Sequence, residues 1–129
     1  MTWVFLGVAG VKAIQADQID KYGGSHGLRD EGLLASAVMR AENKANFDPE
    51  ATLASIGAAL SFGLVKNHAF IDGNKRVGLG ALVDFLGLNG YMLQPSQDEQ
   101  IATIWKVASS EITEADFAAW VERSIAPLV

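Results

Sequence analysis

Residues 48–88 read DPEATLASIGAALSFGLVKNHAFIDGNKRVGLGALVDFLGL, and this stretch decides the architecture. In its first half Leu53, Ile56, Leu60 and Leu64 recur at helical spacing, with Ala58, Ala59 and Gly63 beside them where a neighbour can approach closely. Asp48-Pro49 reads as an N-cap followed by proline at the first helical position, which predicts a helix from there to about Asn67. In the second half, from Asn74 to Leu88, Val77, Leu79, Ala81, Leu82, Val83, Phe85, Leu86 and Leu88 make a helix apolar nearly all round, as suits the middle of a bundle. Asn89-Gly90 ends it.

The pattern continues outward on both sides. Val11, Ile14, Ile19 and Tyr22 mark a helix over Gly10–Tyr22, stopped by Gly23-Gly24. After a loop from Gly23 to Arg29, Asp30 caps a helix over Glu31–Arg40 with Leu33, Leu34, Ala37 and Val38 as its inner face. Ser96 with Glu99 forms a capping box for a fifth helix through Ser109, and Thr113 with Asp116 opens a sixth, to about Ile125. Short extended pieces are expected at Trp3–Leu6 and Tyr91–Leu93. There are no repeats, low-complexity tracts or linkers, so residues 1–129 are expected to form one all-α domain, a six-helix bundle.

Composition narrows the function. Half of the residues are hydrophobic, enough to bury a core. Ten basic residues against 15 acidic give a net charge of −5, which argues against a general nucleic-acid binder. With no cysteine, disulfides, thiolate catalysis and Cys-based zinc sites are excluded, and two histidines, His26 and His68, make a His-rich metal site improbable. The longest apolar uncharged run, Ala51–Val65, is short for a bilayer span, and Met1–Val11 lacks the positive start of a secretory signal. A cytoplasmic location with no membrane partner is the expectation.

The chemistry lies between the two most hydrophobic helices, in His68-Ala69-Phe70-Ile71-Asp72-Gly73-Asn74-Lys75-Arg76. Gly73-Asn74 opens a helix, whose free N–H groups and positive dipole end make an anion site. Lys75 and Arg76 fall in its first turn, where cations are unfavourable for the helix alone but suit a bound phosphate. Asp72 is a hard oxygen ligand of the kind magnesium needs when it bridges protein and phosphates. His68 can accept a proton near neutral pH, as a general base must. Taken singly each is ordinary: a turn, an N-cap, a helix-end histidine, two solvated cations, and a Phe70 that points inward. Five phosphate-compatible groups in one short loop are not.

This loop resembles the signature of the Fic/Doc superfamily in its Doc branch, His-x-Phe-x-Asp/Asn-Gly/Ala-Asn-Lys-Arg. Residues Ile19–Gly32 are similar to the Doc segment before the second helix, and Phe85–Tyr91 to the stretch after the motif helix. The resemblance implies that His68 deprotonates a target hydroxyl, that Asp72 holds Mg2+, and that Gly73, Asn74, Lys75 and Arg76 bind the phosphates of ATP. The adenylylating branch has Gly where this chain has Lys75, and usually a second Arg where it has Leu79. Both differences imply a kinase that transfers the γ-phosphate to a threonine of elongation factor Tu and arrests translation. The loop at Gly23, Gly24, Ser25 and Gly27 would be a flap that positions the target; His26 within it is assigned no catalytic role.

Restraint of such a toxin is implied to come in trans, from a Phd-type antitoxin. The inhibitory pattern Ser/Thr-x-x-x-Glu-Gly/Asn has no good copy here, since Ser110 and Glu114 have the spacing but Ala115 breaks it. The family's frequent histidine in the first helix is replaced by Gln15. The alternatives are a nucleotidyl transferase on the same scaffold and a non-catalytic, partner-binding member.

Overall fold

The computed structural model describes residues 2–129, so Met1 of the expected domain lies outside the described residues. The order is α1 (Val8–Tyr22), α2 (Glu31–Phe47), α3 (Leu53–Asn67), α4 (Asn74–Leu88), β1 (Tyr91–Leu93), α5 (Gln97–Ala108), α6 (Glu114–Ser124) and β2 (Ile125–Pro127). The two strands pair antiparallel, with Tyr91 opposite Pro127, Met92 opposite Ala126 and Leu93 opposite Ile125. The all-α expectation holds, with this small sheet added.

The bundle is built around α3, from Leu53 to Val65 almost entirely buried. Small residues allow its neighbours to close in. A side chain at Gly78 of α4 would run into Val65 and the Ser61 carbonyl, and the bare backbone instead lets Ser61 Oγ donate to the Gly78 carbonyl at 2.7 Å. A side chain at Gly57 would meet Leu82 and Phe85. This close approach sets the C-terminus of α3 beside the N-terminus of α4. The second apolar helix is less central than its sequence suggests: α4 buries Val77, Ala81, Leu82, Phe85 and Leu86 but exposes Val83 and Leu88.

Several boundaries differ from expectation. α2 runs on to Phe47, and Asp48 ends it rather than starting α3. The Asp48 carboxylate pairs with Lys44 at 3.0 Å and accepts from the Glu50 N–H, while Pro49 disfavours a helical Asp48. The true cap of α3 is Thr52, in a reciprocal box with Ser55. The Ser96 box is half-formed: Ser96 accepts from the Glu99 N–H, but the Glu99 carboxylate takes the Trp120 Nε1–H at 3.0 Å instead of reaching back. The Thr113–Asp116 box is complete. Tyr91–Leu93 is a strand as expected, whereas Trp3–Leu6 pairs with no strand; the Asn89 amide holds it by accepting from the Val4 N–H and donating to the Val4 carbonyl, both at 2.9 Å.

Candidate active site

His68 caps the C-terminus of α3 in a left-handed conformation (φ 52°, ψ 47°). Such a backbone costs an L-residue roughly 1 kcal/mol and needs support from around it. Arg29 supplies it: Nε and Nη2 donate to the His68 carbonyl at 2.8 and 2.5 Å, and Nη2 also to the Asn67 carbonyl at 3.2 Å. These charge-assisted bonds satisfy carbonyls that the helix end leaves unpaired. The His68 side chain is exposed.

The next residues are held like a strand. Phe70, 3% exposed, forms an isolated antiparallel bridge with Leu28. The Arg29 and Asp30 N–H groups donate to the Ala69 carbonyl, and the Ile71 N–H to the Gly27 carbonyl. One edge of the expected flap is therefore already paired with the motif loop. Asn74 is buried and clamps the loop from inside, its Oδ1 accepting from the Phe70 N–H and its Nδ2 donating to the Phe70 carbonyl, each at 3.0 Å. This arrangement fixes the amide orientation and turns Nδ2 toward His68 Nδ1 at 3.3 Å. Nδ1 is then the acceptor, and the neutral ring carries its proton on Nε2. The sequence treats Asn74 as a phosphate ligand; its side chain holds the loop instead, leaving its backbone N–H at the helix opening.

Asp72 Oδ2 accepts from the Ser25 N–H at 3.2 Å and Oδ1 from the Gly73 N–H at 2.8 Å. These two bonds, above all the one from Ser25, hold its carboxyl below the usual carboxylate range, and the charges of Arg76 and Lys75 act in the same direction. Gly24, at φ +114°, lets the flap approach: a Cβ there would lie 2.6 Å from Asp72 Oδ2. Gly73, at φ +77°, caps α4 with no side-chain acceptor, so the first-turn N–H groups stay open to an anion. Among the described residues no three His, Asp or Glu side chains gather as a metal site. Asp72 alone still fits magnesium, because it is ionised, accepts only two bonds, and has lone pairs left for an ion that phosphate oxygens would otherwise complete.

The two cations are already engaged. Arg76 donates from Nη1 to the Gln18 carbonyl and from Nη2 to the Gly23 carbonyl, both at 3.2 Å, tying α4 to the end of α1. Three of its five N–H donors remain. Lys75 Nζ lies 4.2 Å from the centre of the Trp105 ring. His68, Asp72, Gly73, Asn74, Lys75 and Arg76 line one cleft of about 380 Å³, together with Ile71, Leu79 and, from α5, Ile101, Ile104 and Trp105. The flap residues do not line it but contact residues that do: Gly24 and Ser25 touch Asp72, Gly27 touches Ile71, and the Gly23 carbonyl accepts from Arg76. His26 is exposed and paired with Asp20 at 2.8 Å, and Glu114 is paired with Arg40.

The sequence reading missed three things. Arg29 shows itself only by sitting beside the flap. The α5 wall could have been suspected from Trp105, an indole between Ile104 and Lys106 on a polar helix. Gln15 stands out in the sequence only as a departure of the first helix from the family pattern. It is 3% exposed, and its Nε2 donates to the Ser25 carbonyl at 3.3 Å and the Asp72 carbonyl at 3.2 Å, joining flap to motif loop.

Comparison with known proteins matches residues 5–86 to the model of the Fic/DOC family. Toxin Doc of Mycolicibacterium smegmatis is 40% identical over 78 residues, 60% of this chain and 60% of that protein. The aligned part thus spans less than two thirds of that relative. Protein kinase doc of Escherichia phage P1 is 26% identical over 111 residues, 86% of this chain and 87% of that one.

Proposed function

The chain belongs to the Fic/DOC family, and we propose that it is the toxin of a toxin–antitoxin pair: a Mg–ATP-dependent protein kinase that transfers the γ-phosphate to a threonine hydroxyl of elongation factor Tu and arrests translation. The names of the two relatives, a Toxin Doc and a Protein kinase doc, support the toxin and kinase parts. The observation that carries the reading is the cleft in which His68, Asp72, Lys75 and Arg76 meet at the uncapped N-terminus of α4.

Phosphoryl transfer asks a protein mainly for positioning and for neutralising charge on the transferred group. The first-turn N–H groups of α4 and the free donors of Arg76 receive phosphate oxygens. Lys75, on a flexible stem, adds a mobile point charge. Asp72 would hold Mg2+, and the ion would supply charge neutralisation to the transferred group. As the hydroxyl oxygen bonds to the γ-phosphorus and the bond to the β-phosphate oxygen breaks, His68 takes the hydroxyl proton and ADP leaves. Taking that proton on Nε2 requires the neutral ring to move its own proton to Nδ1 and to give up the 3.3 Å contact with Asn74. Leu79, which lines the cleft where the adenylylating branch usually carries a second Arg, offers no charge to hold a nucleotide in the opposite sense. The proposed substrate belongs to the translation machinery, so the proposal includes action in the cytoplasm; among the described residues no helix is long and apolar enough to cross a membrane. A Phd-type antitoxin binding in trans, by a segment that folds on contact, completes the proposal.

Induced expression in bacteria tests it. The wild-type chain should arrest growth, and His68→Ala should abolish the arrest while leaving the melting temperature within about 2 °C, the shift expected of an exposed side chain. Full toxicity from a folded His68→Ala protein would overturn the general-base role.

A further inference from the structure

One wall of the cleft takes no part in the phosphate chemistry. Ile101, Ile104 and Trp105 of α5 face Lys75, Arg76 and the open end of α4 across it. Ile104 is 2% exposed and belongs to the core, but Trp105 is 57% exposed and Ile101 41%. The group over the Trp105 ring is the Lys75 ammonium. The cleft thus has an anion-binding end and a flat aromatic end, joined by a lysine that reaches both.

The geometry points to Trp105 as the platform on which the nucleotide base stacks, with Ile101 at its edge. This inference rests on the nucleotide reading of the cleft and adds the subsite that reads the base. A ligand with a polyphosphate head and a planar aromatic tail matches the two ends, and every base has a π-face suited to an indole. Lys75 links them. Its ammonium and a base compete for the same ring face, and a phosphate is the stronger partner for an exposed ammonium. Binding therefore exchanges contacts: the base replaces the ammonium on the ring, and Lys75 moves to the phosphates.

The test compares ATP with inorganic tripolyphosphate, which has the phosphates and no base, by calorimetry on the full chain with Mg2+. Variants are Trp105→Ala and Trp105→Phe; the position is exposed enough for both to fold. Base–aromatic stacking of about 1–3 kcal/mol corresponds to roughly fivefold to 150-fold in Kd. Trp105→Ala should weaken ATP at least fivefold, Trp105→Phe should restore most of that loss, and tripolyphosphate should bind unchanged or slightly tighter as Lys75 is released. Equal weakening of both ligands, or of neither, would overturn the stacking role while leaving the phosphate site standing. Wild-type protein that binds neither ligand would remove the nucleotide reading itself, and this inference with it.

Discussion

Gln15 offers the sharpest test of how the site is assembled. Its side chain is 3% exposed, and its amide nitrogen bonds both facing loops at once, at 3.3 Å to the Ser25 carbonyl and 3.2 Å to the Asp72 carbonyl. Gln15→Leu keeps the approximate volume and deletes both donors. Each neutral bond contributes about 1 kcal/mol net, and these are at the long end of the range. The two carbonyls are partly buried, so water reaches them in the variant, while the leucine gains from burial. The net loss is about 1–2 kcal/mol, or roughly 3–8 °C in Tm for a chain of this size. Gln15→Glu is more severe at neutral pH, because a buried carboxylate then faces two carbonyl oxygens; a further loss of about 1–3 kcal/mol is expected. The introduced carboxyl has its pKa raised in the folded state by burial, so its penalty is present above that pKa and eases as pH falls through it, when the neutral acid can donate one bond. Thermal denaturation at pH 7 and pH 5 should give the order wild type, Gln15→Leu, Gln15→Glu at pH 7, with the last two converging at pH 5. A Gln15→Glu protein as stable as wild type at pH 7 would refute the reasoning.

Three further outcomes follow from the geometry. Gly24→Ala forces a side chain onto Asp72 Oδ2 at φ +114°, whereas Gly23→Ala, at φ +85°, meets open space; both should lose roughly 1–2 kcal/mol of stability from the backbone, but only Gly24→Ala should lose most of its phosphate-transfer activity when the two are assayed at equal folded fraction. Asp84 has its carboxyl raised above the usual range by desolvation and by the charge of Asp17, but the residue is exposed and solvent screens the effect; Asp84→Asn should add no more than about 0.3 kcal/mol at pH 7, a gain that shrinks as pH falls through the Asp84 pKa. With Asn74 Nδ2 as the donor to Nδ1, 15N NMR of the neutral His68 ring should report the proton on Nε2; a proton on Nδ1 would contradict that hydrogen bond.

The helices were legible because their cause is local. Apolar spacing at Leu53, Ile56, Leu60 and Leu64, the Thr113 box and the Asn89-Gly90 stop are short-range signals, and the structure follows them. Asp48-Pro49 misled because the same dipeptide ends one helix as readily as it starts another; the Lys44 pairing and the Thr52 cap decide between them. The grouping of His68, Asp72, Lys75 and Arg76 was legible because they are neighbours in sequence, and one loop brings them to one cleft. What side chains do there depends on partners far along the chain. Asn74 turns inward to Phe70, Arg76 reaches Gln18 and Gly23, Lys75 rests on Trp105, and Arg29 braces His68 across 39 positions. No periodicity carries that information. Gln15 shows it most plainly: a polar residue on an amphipathic helix reads as surface, and only the docked flap makes it interior.

The central claim is γ-phosphoryl transfer, and label transfer tests it most directly. Purified protein and Mg2+ are incubated with a bacterial extract containing elongation factor Tu and with ATP labelled at either the α- or the γ-phosphate. The account expects label on the factor from the γ-position alone, and none with His68→Ala. Label from the α-position would make the protein a nucleotidyl transferase and contradict the reading of Lys75 and Leu79.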